Sequence, residues 1–221
     1  MRKVIGGLFL SVDGVMQAPG GPREDPTGGF ELGGWAAPHF DETLFGFLAE
    51  TMENAEYDLL LGRKTYEIFA AHWPYQPETP LGAKFDQIRK YVVTATPDLL
   101  TWQGSEALVG DPAQTVAALK RSDGPDLVIQ GSSELYPALL GAGLVDRLWI
   151  ITLPVLLGKG KRPFGDAAAP TSLRLVDHRV AGSGAVVTVY ERAGAVPVGD
   201  FEMETPSDAE LARRDKMMRE G

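Results

Sequence analysis

Tyr57-Asp-Leu-Leu-Leu-Gly-Arg-Lys-Thr-Tyr-Glu67 joins a short apolar run to a helical pattern through one glycine, two cations and a threonine. An apolar run of this length, ended by turn chemistry, reads as a buried strand. Gly62 permits a tight turn with close backbone approach. Thr65 is placed to cap a helix carrying Tyr66, Ile68 and Phe69. A strand, a glycine, cations and a helix N-terminus together offer amides, a dipole and positive side chains to an anion such as phosphate. The alternative is an ordinary strand-to-helix turn with solvated charges.

Similar strand ends recur on both sides. Val4 to Val12 reads as a first strand closed by Asp13-Gly14, and Gly6 and Gly7 within it mark close approach of a ligand or another backbone. Tyr91 to Ala95 is a strand with Thr94 at its carboxyl end. Asp126 to Gln130 is another, running into Gly131-Ser-Ser-Glu134 and a helix with Leu135, Leu139 and Leu140. Asp41 caps a helix with Leu44, Phe45, Leu48 and Met52 on one face. Glu106 to Val109 is a brief strand, and Ala113 to Lys120 is helical. Arg147 to Leu153, Leu173 to Val180 and Ala185 to Glu191 are strands with no helix between them. Alternating strand and helix followed by strands alone predicts an α/β fold, a mostly parallel sheet completed by antiparallel C-terminal strands. In such sheets ligands sit beyond the strand carboxyl ends. Asp13, Gly62-Arg63-Lys64, Thr94 and Gly131-Ser132-Ser133 all fall there.

The 221 residues are 44% hydrophobic and 23% charged, and the formal charge is −9. That is globular composition without the basic footprint of a nucleic-acid binder. No stretch is long and apolar enough to cross a bilayer, and Met1-Arg-Lys-Val-Ile lacks a signal-peptide pattern, so a cytoplasmic location is expected. The chain has no cysteine, which excludes disulfides and fits a reducing compartment. His39, His72 and His178 are isolated, so no metal site is expected. Residues 1–192 form one expected domain, and 193–221 a linker with a charged helical tail opened by Ser207-Asp-Ala-Glu210.

Met16 to Pro38 is a long loop rich in glycine and proline, of the kind that forms lids and binding loops. Trp35 within it either walls a pocket or pins the loop to the core. Gly131-Ser132-Ser133-Glu134 is a second anion-site candidate, the serines offering hydroxyls to phosphate oxygens or simply capping the helix. It is not a nucleophile elbow, because Leu135 stands where the second glycine is required. Neither the dinucleotide nor the P-loop glycine fingerprint occurs. Two anion sites on adjacent strand ends suit one ligand with separated phosphates. Arg63 and Lys64, with Thr94 nearby, would meet a terminal phosphate, which an arginine fork binds bidentately.

Leu10-Ser-Val-Asp-Gly14, Leu59 to Tyr66, Tyr91-Val-Val-Thr94, Asp126 to Ser133 and Val155-Leu-Leu-Gly-Lys-Gly-Lys-Arg-Pro-Phe164 occur in this order over roughly residues 2–192. In these pieces the chain resembles the dihydrofolate reductase-like superfamily, specifically the bacterial group similar to the carboxyl-terminal reductase domain of riboflavin biosynthesis. The resemblance implies an eight-stranded mixed sheet, NADPH as cofactor, frequent homodimers and activity of the 5-amino-6-(5-phosphoribosylamino)uracil reductase type. It implies that Gly62, Arg63, Lys64 and Thr65 hold cofactor phosphates, with Thr94 bordering the adenosine phosphate. Gln130, Gly131, Ser132, Ser133, Glu134 and Leu135 would line the pyrophosphate, and Phe9 and Met16 would lie near the nicotinamide. Asp13 and the loop through Trp35 would face the substrate. From the residues themselves, Asp13, Asp41 and Glu42 are the carboxylates placed to orient or protonate a substrate, with Asp13 the expected proton relay. The alternatives are a turn residue at Asp13 and a helix cap at Asp41. The expected activity is hydride transfer from NADPH to a small heterocyclic or carbonyl compound. The alternative is a nucleotide-binding dimer that has kept the fold without turnover.

Overall fold

The computed structural model describes residues 1–164, 169–201 and 205–220. All six positions of β2 (Tyr57–Gly62) are buried, which is what a strand covered on both faces requires. Leu59 and Leu61 point to one side of the sheet and Leu60 to the other, each at 0% exposure. On the first side they pack with Val128, Trp149 and Ile151 against Leu44, Phe47, Tyr66 and Phe85 from helices. On the second, Leu60 joins Val4, Leu8, Leu127 and Ile129 beneath Val116, Leu135, Tyr136 and Leu139.

In chain order the elements are β1 (Val4–Ser11), α1 (Glu42–Leu48), β2, α2 (Arg63–Ala70), α3 (Pro80–Gln87), β3 (Lys90–Val93), β4 (Ser105–Leu108) and α4 (Pro112–Lys120). There follow β5 (Asp126–Ile129), α5 (Leu135–Gly141), β6 (Arg147–Leu153), β7 (Ser172–Val180), β8 (Val186–Gly194) and α6 (Asp208–Glu220). They build one eight-stranded sheet of order β4-β3-β2-β5-β1-β6-β8-β7. Six strands are parallel, and β8 and β7 close the sheet antiparallel, as the sequence predicts. The chain moves outward from β2 to β4 and then returns to insert β5 between β2 and β1. That reversal opens a crevice at the strand carboxyl ends.

Two local expectations change. The residue before α2 is Gly62 and no side chain caps the helix, so Thr65 sits inside its first turn rather than at its cap. Asp41 caps α1 as expected, accepting from the Thr43 and Leu44 amides. The helix then widens into a π-turn over Ala49–Glu53, which shifts its inward face. Phe47 takes the buried place expected of Phe45, which is 61% exposed. In α6 no residue is buried, and Glu210 binds Arg213 and Arg214, whose hydrogen bonds pull its carboxyl down to about 2.

Opposite the crevice, the amino ends of four strands are tied by one buried cation. Arg2 pairs with Asp58 of β2, donates to the Pro125 carbonyl (2.5 Å) and lies over the Tyr91 ring. Asp58 also accepts from the Arg89 amide (3.2 Å). Removing the carboxylate leaves Arg2 buried without its counter-charge, a loss of the order of 3–5 kcal/mol for such pairs. Asp58→Ala is therefore expected to lower the unfolding free energy by that amount, read from the urea midpoint.

Candidate functional site

A cavity of about 600 Å³ opens at the carboxyl ends of the parallel strands. The turns after β2 and β5, neighbours in the sheet, both line it. The Gly62 amide donates to the Gly131 carbonyl (3.4 Å). Gly62 has extended dihedrals, φ −76° and ψ 156°, so the turn itself does not demand glycine. A Cβ there would instead overlap the Ser132 hydroxyl. Gly131 is glycine for two reasons: its φ is +124°, and a Cβ would lie 2.7 Å from Thr65 Oγ1. Each turn thus receives a side chain from the other.

The donors around this contact suit an oxyanion. The first-turn amides of α2 have no side-chain cap. Ser132 and Ser133 line the cavity and do not cap α5, whose N-cap residue is Glu134. Arg63 pairs with Glu67, and Lys64 Nζ stands 3.8 Å from Glu134 Oε1. These exposed pairs contribute little, so a phosphate can displace them. Thr94 is buried at the adjoining β3 end, its hydroxyl accepting from the Thr96 amide (3.0 Å).

The other end of the cavity is apolar and roofed by loops. Phe9 lies 6.0 Å from Trp149 and 5.8 Å from Phe40, and with Gly7 and Met16 it lines the wall. The Trp149 ring fills the place a Cβ at Gly7 would take. From the long loop come Gln17, Ala18, Pro19, Glu24 and Asp25, and from the loop after β6 comes Lys161. Gln17 Nε2 donates to the carbonyls of Asp25 and Thr27 (both 2.9 Å), and its Oε1 accepts from the Lys161 amide (3.1 Å). Lys161 Nζ pairs with Asp25 Oδ2 at 2.5 Å. Burial penalises the Asp25 charge, yet hydrogen bonds from Lys161 and Thr27 outweigh it and lower its pKa. Glu24 goes the other way. Burial raises its pKa despite the Gly20 and Gly21 amides.

Every residue expected to hold the cofactor lines this one cavity; Asp13, Trp35, Asp41 and Glu42 do not. Asp13 accepts from the amides of Leu157 (3.0 Å) and Gly158 (2.8 Å), the Ser11 hydroxyl (2.7 Å) and Arg162 (3.1 Å). The Leu157 amide and then Ser11 hold its carboxyl well below the usual carboxylate range. That is the environment of an anchor for the two loops, and it opposes the protonated form that a relay at Asp13 would pass through. Trp35 is buried, its indole N–H donating to the Gln17 carbonyl (2.8 Å), so it pins the loop. Asp41 caps α1 and also accepts from the Ser183 amide (3.2 Å), while Glu42 is exposed. Sequence reasoning placed the long loop at the substrate but singled out none of Gln17, Glu24 and Asp25 in it, nor Lys161, Ile68 or Phe69, all of which line the cavity. The long loop and the Lys159–Arg162 cations were visible signals, but nothing local tells which of their residues turn inward. Among the described residues no group of three or more His, Asp or Glu is arranged to hold a metal. No helix among them is long and apolar enough to cross a membrane.

The profile of the RibD C-terminal domain matches residues 2–187. The chain belongs to that family. Within this RibD C-terminal domain family it is 27% identical over 198 residues to the uncharacterized protein YyaP of Bacillus subtilis (strain 168), covering 87% of this chain and 96% of YyaP. It is 31% identical over 140 residues to the uncharacterized YwjB of the same organism, covering 61% and 73%. A putative riboflavin biosynthesis protein from Shewanella sp. PV-4 superposes with TM-score 0.61 at 21% identity, over 87% of this chain and 99% of that one. A pyrimidine reductase-like protein from Corynebacterium diphtheriae gives 0.55 at 14%, over 87% and 92%. Dihydrofolate reductase from Enterococcus faecalis, complexed with NADP(H) and RAB-propyl, gives 0.55 at 17%, over 86% and 96%. At these identities the likeness is one of fold, the dihydrofolate reductase-like architecture.

The interlocked turns give a direct expectation for this RibD C-terminal domain. Gly131→Ala meets both a positive φ and the Thr65 hydroxyl, whereas Gly62→Ala meets the Ser132 side chain alone. Overpacking typically costs about 1–3 kcal/mol. Urea unfolding is expected to find both variants less stable than the parent, with Gly131→Ala the more affected.

Proposed function

We propose that this protein is an NADPH-dependent reductase that adds hydride to a C=N or C=O bond of a small heterocyclic, pteridine- or pyrimidine-like molecule, or of a carbonyl compound. The observation that carries this reading is that the Gly62 and Gly131 turns open into one cavity rather than two. A phosphorylated dinucleotide needs separated phosphate sites within reach of each other, and adjacent strands β2 and β5 supply them. The donor set fits: uncapped α2 amides, two cations and the Ser132 and Ser133 hydroxyls line one face.

In this reading Gly62, Arg63, Lys64 and Thr65 bind phosphate, with Thr94 beside the adenosine end. The segment from Gln130 to Leu135 follows the pyrophosphate. Phe9 and Met16 offer the flat apolar wall that a nicotinamide ring requires. When bound, the cofactor supplies the hydride; the protein binds, orients and excludes water. The Lys161–Asp25 pair and Gln17 hold the loop over the apolar end, which keeps solvent from the reacting bond. The reading extends to a cytoplasmic homodimer. The β7 edge, with Leu173, Leu175 and Val180 exposed, leaves room for a second copy.

NADPH is expected to bind at least about tenfold more tightly than NADH, about 1.4 kcal/mol. Fluorescence titration of both cofactors measures this directly. Arg63→Ala is expected to erase the preference, and equal affinities in the parent would remove the phosphate role given to Arg63. Turnover is tested by NADPH oxidation against pterins, pyrimidines and carbonyl compounds. Tight binding with no oxidation across that panel would instead identify a nucleotide-binding module.

A further inference from the structure

Reducing a C=N or C=O bond takes a proton as well as a hydride, and a positioned acid contributes to that step. Among the described residues three carboxylates line the cavity: Glu24, Asp25 and Glu134. Asp25 is neutralised by Lys161 and accepts from Thr27, so it is a tether. Glu134 stands at the phosphate end beside Lys64, with its side chain 81% exposed. Glu24 differs from both. It comes from the loop that roofs the apolar end, and its Oε2 accepts from the amides of Gly20 (2.7 Å) and Gly21 (3.1 Å). Its Oε1 accepts no hydrogen bond among the described residues.

We propose that Glu24 is the general acid of this cavity, donating its proton to the nitrogen or oxygen of the bond being reduced. The inference rests on the reductase reading. Two N–H donors on Oε2 leave Oε1 to carry the proton. Burial favours the neutral acid and the neighbouring Asp25 charge adds to it, while the two amides and His72 act in the opposite sense. Lys161 pairs with Asp25 and partly offsets its charge. In the step, hydride bonds to the substrate carbon, the π bond opens, and the electron pair on the heteroatom takes the Glu24 proton. Glu24 is left as a carboxylate and regains a proton from solvent, so one proton is consumed for each NADPH oxidised.

Glu24→Gln keeps an acceptor for Gly20 and Gly21 but has no acidic proton. In protein with 13C-labelled glutamate carboxyls and no cofactor, the resonance missing from Glu24→Gln is expected to titrate above the ordinary glutamate value. In the parent, kcat is expected to fall as pH rises through that same midpoint, because deprotonation removes the donor. Glu24→Gln is expected to lose that limb and to slow kcat about 10²–10⁴-fold, with NADPH affinity unchanged. Glu24→Asp should restore the limb at a reduced rate. A parent that turns over beside a Glu24→Gln variant of equal rate and pH profile overturns the role of Glu24 alone. So does a Glu24 carboxyl titrating at or below the ordinary value. A parent that oxidises no NADPH with any pterin, pyrimidine or carbonyl compound overturns the reductase reading, and the acid with it.

Discussion

The site depends on two turns that occupy each other's space. Gly62 leaves room for the Ser132 side chain, Gly131 leaves room for the Thr65 hydroxyl, and one amide-to-carbonyl contact joins them. Neither turn is formed by its own residues alone. The packing of β2 against β5, four paired residues long, brings them together, and each missing Cβ then permits the fit. An interior packed to crystal density tolerates no extra methyl at such a place. The donor-rich face of the cavity is therefore a property of strand order before it is a property of any single residue.

A second junction sets the apolar end. Asp13 closes β1 by binding two amides of the loop after β6, and Met16 donates its amide to the Lys161 carbonyl (2.9 Å). Gln17 then bridges the long loop to the same segment. A 23-residue connection would cost considerable conformational entropy to order; here buried hydrogen bonds and the Trp35 anchor offset it. The junction uses Asp13 for its charge, which the Leu157 and Gly158 amides and Arg162 hold. Glu24 and Asp25 are adjacent in sequence yet shifted in opposite directions, because Lys161 reaches only one of them.

Patterning alone carried the architecture a long way. Leu59 to Leu61, the strand ends at Asp13, Gly62, Thr94 and Gly131, and the helix-free final third were all legible, because side-chain periodicity and turn chemistry are local. Local rules also failed in recognisable ways. Thr65 looks like a cap because a hydroxyl near a helix start usually is one, but its hydroxyl packs beside Gly131 of the neighbouring turn. Phe45 fits the inward stripe of an ideal α-helix, and the π-turn after Leu48 gave that place to Phe47. Asp41 and Trp35 carry chemistry that a site could use, yet the structure employs both to fix backbone.

By itself, then, the sequence determined the sheet, its antiparallel finish and the residues able to meet a phosphate, since each follows from spacing along the chain. Tertiary structure decided that β5 lies between β2 and β1, that the Gly62 and Gly131 turns share one cavity, and that Glu24 and Asp13 meet environments of opposite sense, burial raising the pKa of the one and amides lowering that of the other. The reason is physical. Strand pairing, burial and the reach of Lys161 and Arg162 act between residues more than a hundred positions apart, and no local pattern encodes which of those distant groups will meet.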